Sequence, residues 1–321
     1  MPETTVDRAA LQRFLPADIL GEIRTIAPIR LGLSGAGVYA VAAEGGEYVL
    51  RLQGQGADDS FWIQHLLILR RAAAMAVAPP VVHVDDEARA ILSLRIPGVP
   101  LPSVLADPAV RENAIGDVVA RLRALHTIDP TGIAERNAAA FARGVWEDQR
   151  DREGFPAWAA DLRSAFDELD ALLARDTRRV VSHNDVNPGN VLWDGARTWL
   201  VDWEVAGLSH PYYDLAAFVT FLGLDAERAN ALLRLQERSP LDGEAFGTLA
   251  AMRQLVALAV GNVFLSLTPD LAIIPRTREE APTLAEVRAG MRSGAVDLQT
   301  SRGQIMMGLS FLRLATEPSA H

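Results

Sequence analysis

His183, Asp185, Asn190 and Asp202 fall within the stretch VVSHNDVNPGNVLWDGARTWLVDWEVAG, residues 180–207. Two acids and an asparagine stand there in order between short apolar runs, VLW and TWLVDW among them, that read as strands. Carboxylate and amide oxygens so arranged suit phosphoryl transfer. That chemistry needs a carboxylate to orient an attacking hydroxyl, oxygen ligands to hold Mg2+ against phosphates, and backbone amides to cover those phosphates. Magnesium keeps several waters, so two protein oxygens together with phosphate suffice.

Taken singly, each fragment has an ordinary explanation. Asp and Asn beside Pro-Gly are common turn residues, and an acid closing an apolar strand is unremarked in most proteins. The conjunction carries the signal: Asp185 and Asn190 have the five-residue spacing of base and metal-ligating asparagine in kinase catalytic loops, and Asp202 follows a hairpin-like segment.

Composition narrows the alternatives. The chain has 321 residues, 49% of them hydrophobic, enough for one large core or two smaller ones. It has no cysteine, which removes disulfides and thiolate chemistry and fits a cytoplasmic setting. All 31 basic residues are arginine, so a Walker-type phosphate loop lacks its lysine. The net charge of -10 argues against nucleic acid or anionic membrane as a partner and favours a cationic small substrate. The N-terminus has no continuous apolar segment of the secretory kind. The run LVALAVGNVFLSLT, residues 255–268, is too short to span a bilayer and predicts a buried helix.

The elements that must position the acids follow from periodicity. IRTIAPIRLG, VYAVAA and YVLRL read as successive antiparallel strands, joined by the glycine-rich LGLSGAG and a tight EGGE turn. DDSFWIQHLLILRRAAAMAV predicts a helix ending at Ala78 before Pro79-Pro80, and VVHVD and AILSL predict two more strands. The proline-rich RIPGVPLPS reads as a hinge. Beyond it, DPAVRENAIGDVVARLRALHTI and AWAADLRSAFDELDALLA predict amphipathic helices, and helices resume from Tyr212. The expected fold is α+β: a small antiparallel β-sheet lobe with one helix over residues 1–95, then a larger, mostly helical lobe over residues 96–321.

At this point the chain resembles the aminoglycoside phosphotransferase and choline kinase superfamily, whose fold is bilobal and protein-kinase-like. HNDVNPGN matches the family's His-x-Asp-x-x-x-x-Asn, LVDWEVAG its metal-binding strand, and PYYDLA lies just downstream. LSGAGVYAV, YVLRLQGQG and APPVVHVD come in the family's order, and the likeness covers about residues 24 to 220. The resemblance implies Asp185 as catalytic base, Asn190 and Asp202 as Mg2+ ligands, and ATP as the phosphate donor. His183 braces the catalytic loop or is a core histidine, which is nearly the same statement. Asp214 hydrogen-bonds that loop or is an ordinary carboxylate of a helix start. Glu204 supports the metal ligands or joins Trp203 and Tyr213 in a substrate wall. Ser34, Gly35 and Gly37 let the backbone approach the phosphates, and backbone groups of Leu94 and Ile96 face an adenine.

Two positions depart from the kinase pattern. Arg51 stands where kinases place the phosphate-contacting lysine, a role its two parallel donors preserve with different geometry. The partner glutamate's place on the following helix falls at about His65, beside Gln64. Asp58, Asp59 or a shifted residue then substitutes, or the nucleotide itself positions Arg51.

DWEVAG resembles choline, ethanolamine and thiamine kinases more than aminoglycoside kinases. A quaternary ammonium wants aromatic faces and nearby carboxylates, whereas a polyamine antibiotic wants an acidic wall such as Glu147, Asp148, Asp151 and Glu153. The expected activity is Mg2+-dependent transfer of the ATP γ-phosphate to a small cationic alcohol. An aminoglycoside kinase and a nucleotide-binding pseudoenzyme are the alternatives.

Overall fold

The computed structural model describes residues 11–29, 37–53, 59–238, 240–268, 271 and 277–317. Contacts gather the chain into two compact units, Met1–Ala134 with Gly189–Gly207 and Glu135–Pro188 with Leu208–His321.

The first unit begins with a short helix, α1 (Ala17–Leu20), and is built on a five-stranded antiparallel sheet. Its strands are β1 (Ile23–Pro28), β2 (Gly37–Ala43), β3 (Gly46–Leu52), β4 (Val81–Asp85) and β5 (Ala90–Leu94), in the order β1-β2-β3-β5-β4. Alternation along the strands buries Val41 and Ala43 of β2 and Tyr48 and Leu50 of β3, and these pack with Phe14, Leu15 and Leu20. Ala43 pairs with Gly46 across the two-residue EG loop, which fixes the β2–β3 register. That register sets Arg51 opposite Val38 on one side and Ile91 on the other.

Helix α2 (Asp59–Ala74) buries Trp62, Leu66, Ile68 and Leu69. It stops short of the expected Ala78. Ala76 takes a left-handed conformation (φ 52°), and the N–H groups of Val77 and Ala78 both return to the Ala72 carbonyl. The reversal ends the helix before the two prolines do.

The proline-rich segment read as a hinge is ordered as part of a second sheet. Val99–Pro100 (β6) pairs antiparallel with β8 (Val191–Trp193), which pairs with β9 (Thr198–Leu200). Gly98 is required there, since a Cβ would sit 2.9 Å from the Trp193 carbonyl oxygen. Helix α3 (Pro108–Leu125) then packs on β9.

The second unit is mainly helical: α4 (Ala138–Gln149), α5 (Arg163–Leu173), α6 (Tyr213–Leu222), α7 (Ala226–Glu237), α8 (Gly243–Ser266), α9 (Leu284–Ser293) and α10 (Ser301–Thr316). Two short strands complete it, β7 (Val180–Ser182) and β10 (Gly207–Ser209). Two expectations need correction. The helix expected from AWAADLRSAFDELDALLA begins only at Arg163, after a separate 3-10 turn at Ala157–Ala159. The apolar run 255–268 belongs to a 24-residue helix, α8, which by length and composition reaches the span of a bilayer. Glu244, Thr248 and Arg253 interrupt the apolar pattern and conceal that length. Within the structure 61% of its most apolar stretch is buried, against α4, α6 and α10. The α8–α10 crossing is close because Gly261 and Gly308 meet there; a Cβ on Gly308 would lie 2.9 Å from the Gly261 carbonyl oxygen.

The α+β class expected from the sequence is the one observed: an N-terminal antiparallel sheet with one long helix, and a helical second unit.

Candidate active site

In the first unit, Asn190 and Asp202 flank the open end of the β8–β9 hairpin. Val191 pairs with Leu200, and the Val201 N–H donates to the Asn190 carbonyl at 2.9 Å. The closed end is made by Asp194, whose Oδ1 accepts from the N–H of Ala196 and of Arg197 at 2.9 Å. An Asp-Gly turn with self-bonding aspartate is the local reason the chain reverses here. Helix α3 fixes the hairpin sideways: Asp117 Oδ2 accepts from the Thr198 N–H at 2.6 Å and from its hydroxyl at 2.7 Å. The Leu200 N–H donates to the Val77 carbonyl.

The strand ends at Leu200, and Asp202 then adopts φ 67°, a left-handed conformation uncommon for aspartate. Backbone strain of this kind collects where surrounding structure must aim a side chain. Asp202 Oδ1 is buried and accepts no hydrogen bond among the described residues, although an Arg51 guanidinium nitrogen lies 3.1 Å away. A carboxylate and an amide side chain at one hairpin end supply hard oxygen donors of the kind that fits Mg2+. Among the described residues no group of three His, Cys, Asp or Glu forms a metal cluster. Magnesium bound with phosphate requires none.

Arg51 itself, partly buried on β3, donates to the Glu204 carboxylate. The helix residues that could have been its partner are otherwise engaged. Asp59 is ion-paired with Arg89. Gln64 accepts from the Ala134 N–H at 2.8 Å and donates to the Ala206 carbonyl at 3.4 Å. His65 is 3% exposed; burial, with the nearby Arg51 charge adding to it, pushes its imidazole down to about 4. Asp58 lies outside the described residues. Trp203 is buried, and its indole N–H donates to the Leu200 carbonyl at 2.9 Å.

The second unit carries the loop with Asp185. Strand β7 delivers His183, fully buried, and then Asn184, whose φ of 64° turns the chain. Asparagine tolerates that conformation better than most residues. Asp214, in the first turn of α6, accepts at 2.8 Å from the His183 N–H with one oxygen and from the Asn184 N–H with the other. Burial pushes its carboxyl up to about 6, against the pull of these bonds and of the Ser182 hydroxyl. The helix start adds favourable dipole for its charge. His183 Nδ1 accepts from the Asp185 N–H at 3.3 Å, which leaves the imidazole proton on Nε2. Asn187 Nδ2 donates to Asp185 Oδ1 at 3.0 Å, and Val186 is buried. His183, Asp185 and Asp214 are thus held in one network. Tyr213 is buried next to Asp214 and Asp185, and burial raises its hydroxyl pKa.

Of the residues expected to cover a nucleotide, Ser34 and Gly35 lie outside the described residues. Gly37 is paired in β2 with Leu52, and a Cβ there would meet the Tyr39 ring at 3.1 Å. The Leu94 N–H donates to the Pro80 carbonyl at 2.9 Å, and the Ile96 carbonyl accepts from the Gly98 N–H at 2.8 Å. The Ile96 N–H has no backbone partner among the described residues.

Sequence reasoning did not single out Ser182, Asn187 or Asp117. Asn187 sits two residues from Asp185 and reads as part of the Asn-Pro-Gly turn. Asp117 is an unremarkable acid on an amphipathic helix, and nothing local distinguishes it.

The chain belongs to the phosphotransferase enzyme family, whose family model matches residues 25–255. It is 39% identical over 51 residues to protein LicA of Haemophilus influenzae strain Rd, a stretch covering 16% of this chain and 19% of that protein. Among solved structures it is similar to a choline/ethanolamine kinase family protein from Mesorhizobium loti, at 18% identity and TM-score 0.67, covering 95% of this chain and 98% of that one. It is also similar to choline kinase LicA from Streptococcus pneumoniae, at 14% identity and TM-score 0.62, covering 95% and 97%. An aminoglycoside-3'-phosphotransferase of type VIII aligns at 20% identity and TM-score 0.53, covering 77% and 98%. At these identities the structural likenesses establish the fold.

Proposed function

We propose that this chain transfers the γ-phosphate of ATP to the hydroxyl of a small cationic alcohol of the choline or ethanolamine kind, with Mg2+ as cofactor. Asp185 orients the hydroxyl and takes its proton as the oxygen attacks the γ-phosphorus and the bond to the β-phosphate oxygen breaks, releasing ADP. Asn190 and Asp202 hold Mg2+, which neutralises the phosphate charge when bound. Arg51 contributes phosphate contacts from β3. Residues 1–95 serve as the nucleotide-binding lobe and residues 96–321 as the catalytic and substrate-binding lobe, in a cytoplasmic protein.

The observation that carries this reading is the Asp202 carboxylate, ion-paired with Arg51 at 3.1 Å and set in a left-handed backbone tied to Asn190 through Val201. The acceptor class is supported by the net charge of -10 and by two structural relatives that are choline or choline/ethanolamine kinases. Glu147, Asp148, Asp151 and Glu153 are all exposed, as on a solvated helix face, which offers a polyamine antibiotic no formed acidic wall. A panel of choline, ethanolamine, thiamine and kanamycin, each incubated with Mg·ATP and followed by phosphorus NMR, tests the proposal. A new phosphomonoester with a cationic alcohol supports it; transfer to kanamycin alone, or intact nucleotide binding with no transfer, counts against it.

A further inference from the structure

The β3 arginine needs a carboxylate to fix its guanidinium, and among the described residues the helix that supplies one in protein kinases has none free to give. His65 at that place is neutral or cationic in any protonation state, Gln64 ties Ala134 to Ala206, and Asp59 is paired with Arg89. Arg51 instead faces two carboxylates that follow β9 in the chain. Glu204 takes its hydrogen bond, while Asp202 Oδ1, at 3.1 Å, receives charge but no hydrogen bond. The two acids therefore differ in their engagement with the same guanidinium. One is hydrogen-bonded, and the other is held by charge alone.

We infer that Glu204 is the positioning residue for Arg51, replacing the helix carboxylate of the kinase pattern, and that it acts on the nucleotide phosphates through Arg51 rather than by touching the acceptor. The role rests on the phosphotransferase reading above. Its location explains the flanking structure. Glu204 lies between Asp202 and Ala206, and Ala206 is held to α2 by Gln64, so the helix steadies the segment that bears the carboxylate. With this arrangement, displacement of α2 acts on Arg51 only indirectly, through Gln64 and the backbone of residues 204–206. The device that couples helix position directly to the phosphate anchor in protein kinases is absent at His65.

A double-mutant cycle on Mg·ADP affinity, measured by titration calorimetry, decides the matter without reference to turnover. Glu204→Gln and Arg51→Gln each weaken Mg·ADP binding by about tenfold, and the double variant binds no more weakly than Arg51→Gln alone. Glu204→Asp, which keeps the charge with shorter reach, recovers part of the loss. In steady state, Glu204→Gln raises KM for ATP and leaves KM for the acceptor within about twofold. Losses that multiply in the double variant overturn the inference, as does a rise confined to the acceptor KM. Should Glu204→Gln fail to fold, Glu204→Asp carries the same cycle. A folded wild type that binds no Mg·ADP instead sinks the phosphotransferase reading, and this role with it.

Discussion

Asp214 accepts the backbone N–H of His183 at 2.8 Å with one carboxylate oxygen while its other oxygen takes Asn184, so a fully buried acid on α6 holds the start of the Asp185 loop. The His183 donor is buried and the Asn184 donor partly so. Asp214→Ala leaves them unsatisfied at about 1–3 kcal/mol each. The variant is expected to lose roughly 2–5 kcal/mol in chemical denaturation and to retain Mg·ADP affinity while turnover falls. Unchanged stability in Asp214→Ala contradicts the assigned bonds.

The same carboxyl shapes the acid limb of stability. Its folded pKa of about 6 exceeds the unfolded value of 3.8, so the stabilisation it brings is complete below pH 3.8 and is lost as pH rises through about 6. The amount is about 3 kcal/mol, as expected for a shift of this size. Stability of the wild type relative to Asp214→Asn, followed by denaturation from pH 4 to 7, is expected to decline across that window and then level off. A flat difference refutes the shift.

His65 acts in the opposite direction. Its folded pKa of about 4 lies below the unfolded 6.5, so the wild type gains stability as pH rises from 4 to 6.5. His65→Leu removes that gain, again about 3 kcal/mol. The windows of His65 and Asp214 overlap and their slopes oppose each other. The wild type is therefore expected to show a shallow acid limb, with each single variant exposing the other group's slope. Parallel profiles for wild type and both variants contradict this account.

The hairpin that carries Asn190 and Asp202 depends on Asp117, which takes two hydrogen bonds from buried Thr198. Hydrogen bonds to a charged group contribute about 1.5–3 kcal/mol each, so Asp117→Ala is expected to lower stability by about 2–5 kcal/mol. A loss below 0.5 kcal/mol, of the order seen for ordinary surface changes, argues that α3 does not fix the hairpin.

These predictions divide along what the chain discloses about itself. Strand alternation in VYAVAA and YVLRL, the EGGE turn and the DGAR reversal are local signals, and the first sheet and the β8–β9 hairpin form as they imply. The spacing of Asp185, Asn190 and Asp202 is likewise local, and the structure puts the last two at one hairpin end. What stayed hidden is long-range or backbone-borne. Glu204 reaches Arg51 across 153 positions, and no pattern near either residue announces the pair. Asp214 serves N–H groups, which every residue has. Helix α4 is rich in alanine and offers no strong apolar periodicity to mark it, and the left-handed Ala76 that ends α2 has no compositional mark.

The central claim is that Asp185 and the Asn190–Asp202 pair serve one Mg2+-dependent phosphoryl transfer. Single-turnover transfer of γ-labelled phosphate from ATP to choline or ethanolamine, with and without Mg2+, tests it most directly. The wild type is expected to transfer label only with Mg2+, Asp185→Ala to bind Mg·ATP but transfer about 10²–10⁴-fold more slowly, and Asp202→Ala to lose the metal dependence together with transfer. Undiminished transfer by folded Asp185→Ala and Asp202→Ala, or wild-type transfer indifferent to Mg2+, contradicts it.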